Sequence, residues 1–273
     1  MPTFSALDGT TLYYTDAGDG PAILCLAGLT RNGTDFDYVA PHLAEYRLIR
    51  MDYRGRGRSD WADPATYTIA QEAQDALALL DHLGLASVAI LGTSRGGLIG
   101  MGIAAMARDR LTGLAMNDIG PEIAGSGLSA IGAYLGRNPA EKTFADAASM
   151  RAHLMEGFQA VPEARWQEEV RKHYVQTPDG LMINYDPRLR DVFEASRDQP
   201  LPDLWPWFDA LTGLPVAVIR GQNSDLLSAE TVLRMRARNP DLITAEVAGR
   251  GHVPFLDEPE ALSALETWTS RLI

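Results

Sequence analysis

A serine flanked by glycines stands between two apolar stretches of the chain. The motif Gly92-Thr93-Ser94-Arg95-Gly96 follows the apolar run Val88-Ala89-Ile90-Leu91 and precedes a helix-like stretch that starts at Gly97. This order predicts a strand, a sharp turn and a helix. A serine on such a turn exposes its hydroxyl at the end of a sheet, and the glycines leave room for the helix behind it. Ser94 is therefore the candidate nucleophile.

A serine hydroxyl needs a base to accept its proton, and histidine is the usual one. His252 lies in the glycine-rich segment Gly249-Arg250-Gly251-His252-Val253-Pro254-Phe255, directly after a predicted strand. The other four histidines lie near the ends of predicted helices or in the middle of the chain, and they are His42, His82, His153 and His173. We therefore expect His252 to be the base.

The imidazole in turn needs a carboxylate to fix its tautomer and stabilise its charged form. Asp225 lies in the loop after the predicted strand Val216 to Ile219, which gives the chain order Ser, Asp, His that is typical of a serine on this kind of turn. Asp118, just after the strand that follows the serine helix, is the competing carboxylate. We expect Asp225 to be the acid.

Short strand-like and helix-like segments alternate through the first half of the chain. Strands are predicted at 11–15, 22–26, 46–51, 88–91 and 111–116, with helices at 35–43, 69–83 and 96–107. The alternation stops between about 120 and 213 and returns with strands at 216–219 and 244–247 and helices at 229–237 and 259–272. Such alternation predicts an α/β sheet of parallel strands. We expect a core of residues 1–120 and 213–273 and a mostly helical cap of residues 121–212.

At these residues the chain resembles the α/β-hydrolase superfamily. The matching pieces are Leu26-Ala27-Gly28-Leu29, Asp52 to Ser59, the serine motif, Gly221 to Asp225 and Gly251-His252-Val253-Pro254. The resemblance implies a mostly parallel eight-stranded sheet flanked by helices, with the cap inserted after the sixth strand and the Ser94, Asp225 and His252 triad beneath it. It also implies an oxyanion hole formed by the backbone N–H groups of Leu29 and Arg95. Ala27 stands where the family often has histidine, and this departure bears on how the loop is anchored rather than on its backbone donors.

Serine as the nucleophile favours hydrolysis of a small to medium carboxylic ester or lactone. The alternatives are a carbon–carbon bond hydrolase for ring-cleavage products and a non-catalytic ligand-binding homologue. The predicted substrate pocket consists of Thr30, Met155, Phe158, Trp205, Trp207 and Val253. Packing within the cap is the alternative for these side chains. For the Arg95 side chain we expect a supporting salt bridge rather than contact with a substrate carboxylate.

The formal net charge of −12 argues against nucleic-acid partners and anionic membranes. It also disfavours steering of anionic substrates, unless a local positive pocket overrides it. The basic run Arg54-Gly55-Arg56-Gly57-Arg58 is expected to be solvated or paired internally. Cys25 is the single cysteine, so it is expected to be a buried thiol.

The motifs typical of bound metals and nucleotides are missing from the sequence, which contains neither H-E-x-x-H nor a P-loop. We therefore expect no metal and no cofactor. The start of the chain lacks a basic segment followed by an apolar one, and this predicts a cytoplasmic location. The expected partner is a small-molecule substrate, with the protein a monomer or homodimer.

Overall fold

The computed structural model describes residues 2–155, 157–196 and 202–272. Eight strands form the central sheet, namely β1 (Thr3–Ser5), β2 (Thr11–Ala17), β3 (Ala22–Leu26), β4 (Arg47–Met51), β5 (Val88–Thr93), β6 (Leu111–Asn117), β9 (Val216–Gly221) and β10 (Ile243–Val247). Their spatial order is β1-β2-β4-β3-β5-β6-β9-β10. Strand β2 pairs antiparallel with both β1 and β4, and the six strands from β4 to β10 in this order are parallel to one another. The predicted fold class is confirmed.

Helices cover both faces of this sheet. The helices are α1 (Ile69–His82), α2 (Arg95–Ala107), α3 (Gly125–Tyr134), α4 (Phe144–Leu154), α5 (Glu163–His173), α6 (Leu189–Ser196), α7 (Trp205–Asp209), α8 (Ala229–Arg238) and α9 (Pro259–Thr269). Because successive side chains of a strand point to opposite faces, Leu24 and Leu26 join one apolar cluster and Ile23 and Cys25 join the other. The sheet is thus buried on both sides, as parallel sheets usually are.

Helix α2 lies unusually close to the sheet because its first turns carry glycines. A Cβ atom at Gly96 would lie 1.9 Å from the carbonyl oxygen of Leu26, and one at Gly97 would lie 2.3 Å from Cγ2 of Ile119. Gly92, at the end of β5, faces the same constraint, since its Cβ would lie 2.4 Å from the carbonyl carbon of Gly96. The glycines of the serine motif are therefore required by the close approach of backbone to backbone.

The segment between β6 and β9 contains helices α3 to α7 and a hairpin of β7 (Tyr174–Thr177) and β8 (Gly180–Ile183). We keep 121–212 as the proposed boundaries of the cap. Helix α7 packs against α2, and its Phe208 belongs to the same buried cluster as the sheet residues. The last part of the segment thus packs as part of the core.

The helix predicted at 35–43 is wrong. Two short 3-10 helices, Gly33–Asp37 and Ala40–Leu43, occupy this region. Pro41 lies in the first turn of the helix Ala40–Leu43, where a backbone N–H would have no partner within the helix. The same proline cannot lie inside one continuous helix over 35–43, because it lacks the N–H that such a helix needs. In the described part of the chain, no helix is both long enough and apolar enough to cross a membrane.

Candidate active site

Ser94 occupies the turn between β5 and α2 in a backbone conformation that residues other than glycine rarely adopt. Its φ is 49° and its ψ is −111°. Non-glycine residues with positive φ are uncommon, and such strain is often found at functional sites. The turn presents the hydroxyl at the carboxyl end of the sheet, where Oγ lies 3.0 Å from Nε2 of His252. The structure therefore brings together the two residues predicted to be nucleophile and base.

The carboxylate of Asp118 holds the other side of the imidazole. Its Oδ2 lies 2.7 Å from Nδ1 of His252 and also accepts a hydrogen bond of 2.6 Å from Oγ of Ser224. Its Oδ1 accepts a 2.8 Å hydrogen bond from the N–H of Gly221. Asp118 is completely buried and has a φ of 57°. Donors from His252, Ser224 and Gly221 thus fix this carboxylate in one orientation. The other ring nitrogen of His252 can bond Ser94 at the same time.

The prediction that Asp225 pairs with His252 is wrong. The Asp225 side chain is exposed, and its carbonyl oxygen accepts hydrogen bonds from Oγ of Ser126 and N–H of Gly127 at the start of α3. The loop after β9 contributes Ser224 to the site instead, as a donor to Asp118. The competing carboxylate considered in the sequence analysis is therefore the one that the structure places on the imidazole.

The order of strands explains this difference. Strand β6 is the immediate neighbour of β5, whereas β9 lies one strand further away. Neighbouring strands are about 4.8 Å apart, so the residue after β6 starts closer to the serine turn than any residue after β9. The left-handed backbone at Asp118 then directs its carboxylate between the ends of these strands. Chain order alone does not reveal this, because Asp118 also precedes His252 in the sequence.

The backbone N–H groups of Leu29 and Arg95 are available near Ser94. Arg95 is the first residue of α2, where helix N–H groups have no partner within the helix. A Cβ at Gly28 would lie 4.0 Å from Cβ of Ser94, so the loop that carries Leu29 borders the serine. Neither N–H group has a hydrogen-bond acceptor within residues 2–155, 157–196 and 202–272. We retain both as the proposed oxyanion donors.

Two side chains from the segment after β4 anchor the Leu29 loop. The hydroxyl of Tyr53 donates to the carbonyl of Ala27 at 2.9 Å, and Nε of Arg56 donates to the carbonyl of Leu29 at 3.0 Å. These bonds hold the loop although Ala27 offers no side-chain hydrogen bond. Part of the basic run therefore anchors the proposed oxyanion loop.

Glu72 on α1 joins two arginines of the site. Its carboxylate lies 2.9 Å from Nη1 of Arg56 and 2.5 Å from Nε of Arg95. Both Glu72 and Arg56 are fully buried, and burial lowers the pKa of Arg56 in spite of the opposing effect of Glu72. Nη2 of Arg95 also donates to the carbonyl of Tyr67 at 2.9 Å. The Arg95 side chain thus forms a supporting salt bridge, as expected.

Ser94 opens onto a cavity of about 700 Å³ between the sheet and the segment 121–212. This volume lies within the range that holds small organic ligands. Most of the wall is aliphatic or aromatic, including Leu98, Ile119, Ile123, Leu128, Ile131 and Phe193. Arg137 and Arg190 also line it. The cavity suits an apolar chain of several carbons.

The predicted pocket residues separate into two groups. Met155, Phe158 and Val253 line a second, smaller pocket beside His252. Trp205 donates from Nε1 to Glu122 at 2.8 Å, and the ring of Trp207 packs over Gly102 of α2. Thr30 is buried and lies outside both pockets. The prediction is therefore wrong for the two tryptophans, which pack against the core, and it stays a prediction for Thr30.

The smaller pocket, of about 40 Å³, is polar on one side and aromatic on the other. We call it the polar pocket and define it by Arg31, Asp35, Arg151, Glu169 and His252, with Phe158, Trp166 and Phe255 as its aromatic wall. Sequence reasoning missed the charged residues because they are far apart in the chain and follow no motif.

Arg31 is the centre of an ion-pair network in the polar pocket. Its Nε lies 2.6 Å from Asp35 and its Nη2 lies 3.1 Å from Glu169, while Nη1 contacts Nε2 of His173. Burial opposes its charge, but the two carboxylates more than offset this and raise the pKa of Arg31. Burial, followed by the charges of Arg151 and Arg31, lowers the pKa of His173 well below its ordinary value. His173 is therefore neutral at pH 7.

Comparison with known proteins places the chain in a family. The model of the alpha/beta hydrolase fold matches residues 21–259, and the chain belongs to this family. A 3-hydroxybutyrate-oligomer hydrolase of Cupriavidus necator is 38% identical over 259 residues, which cover 91% of this chain and 88% of that protein. A 2-(acetamidomethylene)succinate hydrolase of Mesorhizobium japonicum is 27% identical over 89% of this chain and 85% of its own.

Solved structures agree with this assignment. An alpha/beta hydrolase from Novosphingobium aromaticivorans superimposes with a TM-score of 0.93 and is 36% identical, covering 99% of this chain and 97% of that one. The family and the hydrolases among its relatives show that this protein is a hydrolase enzyme. Within the described ranges, no group of three or more His, Cys, Asp or Glu side chains is placed to hold a metal ion.

Proposed function

We propose that this protein cleaves small to medium carboxylic esters through an acyl-enzyme on Ser94. The observation that carries the proposal is the series of hydrogen bonds from Ser94 through His252 to Asp118, with Ser94 open to the large cavity. A ligand receptor needs a cavity but has no use for a serine on a strained turn that bonds a histidine paired with a buried carboxylate.

The chemistry follows from these contacts. Nε2 of His252 accepts the Ser94 proton as Oγ attacks the ester carbonyl carbon, and the buried Asp118 stabilises the imidazolium that forms. The tetrahedral oxyanion accepts hydrogen bonds from the N–H groups of Leu29 and Arg95. Such a donor contributes about 3–4 kcal/mol to the transition state. His252 then returns the proton to the leaving alcohol, and activates a water that releases the acid from Ser94.

The substrate class rests on the cavity and on one relative. The 700 Å³ cavity with its apolar wall fits an acyl or alcohol chain of several carbons. The relative from Cupriavidus necator is named as a hydrolase of 3-hydroxybutyrate oligomers. Oligomers of a hydroxy acid are joined by ester bonds, so the same bond type is proposed here. Lactones contain this bond within a ring and belong to the same proposal.

The test is hydrolysis of p-nitrophenyl esters from acetate to octanoate, together with the ester-linked dimer of 3-hydroxybutyrate. We expect turnover by the native protein and a loss on the order of 10³-fold or more in Ser94→Ala. The matched control is Ser129→Ala, because Ser129 lines the same cavity and its hydroxyl bonds only the carbonyl of Gly125 among the described residues. This variant should keep native turnover.

The alternatives predict different results. A carbon–carbon bond hydrolase would leave every ester intact and cleave a ring-cleavage product in a Ser94-dependent way. A ligand-binding homologue would bind esters or acids without turnover. Ester turnover that survives in Ser94→Ala would show that the proposed nucleophile is not used.

A further inference from the structure

Arg151 is a cation without a counter-ion in the polar pocket. It lies in the last turn of α4, and its side chain lines the pocket together with His252. Its Nε is buried and has no hydrogen-bond acceptor, and none of the described residues forms a salt bridge with its guanidinium. Burial, and then the charge of Arg31, lowers the pKa of Arg151 from its ordinary value. The pocket thus holds a guanidinium that has no ion-pair partner among the described residues.

The carboxylates of the polar pocket are already engaged by another cation. Asp35 receives both of its hydrogen bonds from Nε of Arg31, and Oε2 of Glu169 receives one from Nη2 of Arg31. The other oxygen of Glu169, Oε1, lies 4.0 Å from Nζ of Lys172. Lys172 lies outside the lining and also approaches Asp37, at 3.9 Å. Both lining carboxylates thus bond Arg31, and Arg151 is the lining cation that forms no ion pair with any carboxylate of the described residues.

Burying a cation without a partner is costly, and proteins normally pair such a charge or bind an anion there. The pocket has room for a small group only, since its volume is about 40 Å³. A planar carboxylate is of this size, and a guanidinium binds it through two parallel hydrogen bonds. The aromatic wall of Phe158, Trp166 and Phe255 keeps water away and strengthens the attraction.

We propose that the polar pocket binds a carboxylate of the substrate through Arg151, so that the preferred esters carry a free acid group on a short chain. This inference rests on the proposed ester hydrolysis. His252 lines the polar pocket and Ser94 lines the large cavity, and their side chains lie 3.0 Å apart, so both spaces border the same pair of residues. A bound acid places the remaining, apolar part of the ester across Ser94. The local charge acts against the net charge of −12, which repels anions at long range.

The experiment compares two substrates that differ only in charge. One is the ester-linked dimer of 3-hydroxybutyrate with its free carboxylate, and the other is the same dimer with a primary carboxamide in that position. We expect Arg151→Gln to lower kcat/KM for the acid about ten- to hundredfold, mainly through KM, because a charge-assisted hydrogen bond is lost. Turnover of the carboxamide should change less than about threefold. Arg151→Lys should recover part of the loss, since it keeps the charge.

Arg137→Gln tests the competing site, because Arg137 is an exposed arginine that lines the large cavity. Arg236→Gln is the matched control, because Arg236 is an exposed arginine of α8 that lines neither pocket. We expect it to treat both dimers as the native protein does. A selective loss in Arg137→Gln but not in Arg151→Gln would place the carboxylate at the large cavity and overturn the proposal. Equal losses on both dimers in Arg151→Gln would also overturn it, because they would assign Arg151 a structural role.

A binding measurement separates this proposal from the ester hydrolysis on which it rests. Calorimetric titration of Ser94→Ala with 3-hydroxybutyrate should show binding that is lost in the Ser94→Ala, Arg151→Gln double variant. Inorganic phosphate serves as a second probe, and equal binding of phosphate and the acid would indicate a general anion site and contradict a carboxylate pocket. A native protein that cleaves neither dimer, yet binds the acid through Arg151, would refute the proposed ester hydrolysis alone.

Discussion

The carboxylate of Asp118 lies 2.7 Å from Nδ1 of His252, although the two residues are 134 positions apart in the chain. Asp118 directly follows β6, and His252 follows β10. Because β9 lies between these two strands, the loop after β10 passes over the end of β9 to bring His252 to Asp118. The close approach needs a glycine in β9, because a Cβ at Gly221 would lie 2.4 Å from the carbonyl oxygen of Gly251. The site therefore depends on backbone packing as well as on its polar side chains.

Asp118→Asn should lower kcat for p-nitrophenyl esters on the order of 10³- to 10⁴-fold. An amide at this place cannot stabilise the imidazolium and favours the wrong tautomer of His252. Steady-state kinetics with the native protein and the variant measure the effect.

Asp225→Asn is the matched control, since it makes the same chemical change at an exposed side chain. We expect its kcat to stay within about twofold of the native value. A large loss in Asp225→Asn with little loss in Asp118→Asn would reverse our assignment of the acid.

Glu72→Gln should lower the free energy of unfolding by about 3–5 kcal/mol, because it leaves the buried Arg56 without a counter-ion. Urea denaturation followed by circular dichroism measures this. Asp81→Asn provides the comparison, since Asp81 pairs with Arg110 at the surface with 69% of its side chain exposed. Its removal should cost less than about 1 kcal/mol. Similar costs for both variants would argue against a structural role for the buried network.

Gly96→Ala should destabilise the protein by about 2–3 kcal/mol or more, because its Cβ would meet the backbone of β3 at 1.9 Å. Thermal unfolding of the two proteins is the measurement. In Gly125→Ala, at the start of α3, the new Cβ atom would have no other atom within 4 Å. This variant should change the free energy of unfolding by no more than about 1 kcal/mol. A Gly96→Ala protein as stable as the native one would mean that α2 can move away from the sheet.

Cys25 should resist thiol reagents in the folded protein. Its side chain is fully buried, and burial raises the pKa of the thiol to about 12, so almost no reactive thiolate is present at pH 8. Titration with a chromogenic disulfide should give a slow reaction in buffer and one rapid equivalent in guanidinium chloride. Rapid reaction of the native protein would contradict the buried position in β3.

Much of the core could be predicted from the sequence because its signals are local. The strands and helices that carry Ser94 and His252 were predicted within a few residues of their observed bounds, since apolar runs and glycine-rich turns mark them. The hairpin of β7 and β8 is short and partly exposed, and only its second strand left a weak apolar signal at 181–183. The helix at 35–43 failed because Pro41 divides that region.

The parts of the site that escaped prediction depend on distant contacts. Asp118 and Asp225 both follow predicted strands, and only the order of strands in the sheet distinguishes them. Trp205 and Trp207 are residues of a type that often lines binding pockets, but in the structure they pack against the core. Arg31 and Arg151 belong to no motif and meet only after folding. A sequence contains these charges without showing which of them will be left unpaired.

The most direct test of the account is reaction with diethyl p-nitrophenyl phosphate, followed by mass spectrometry of the digested protein. The account predicts one diethylphosphoryl group per molecule, carried by the peptide that contains Ser94, with loss of esterase activity in proportion to labelling. His252→Gln should label at least about 10²-fold more slowly, because the serine loses its base. Full ester turnover after complete labelling of Ser94, or labelling at another residue in step with inactivation, would contradict the account.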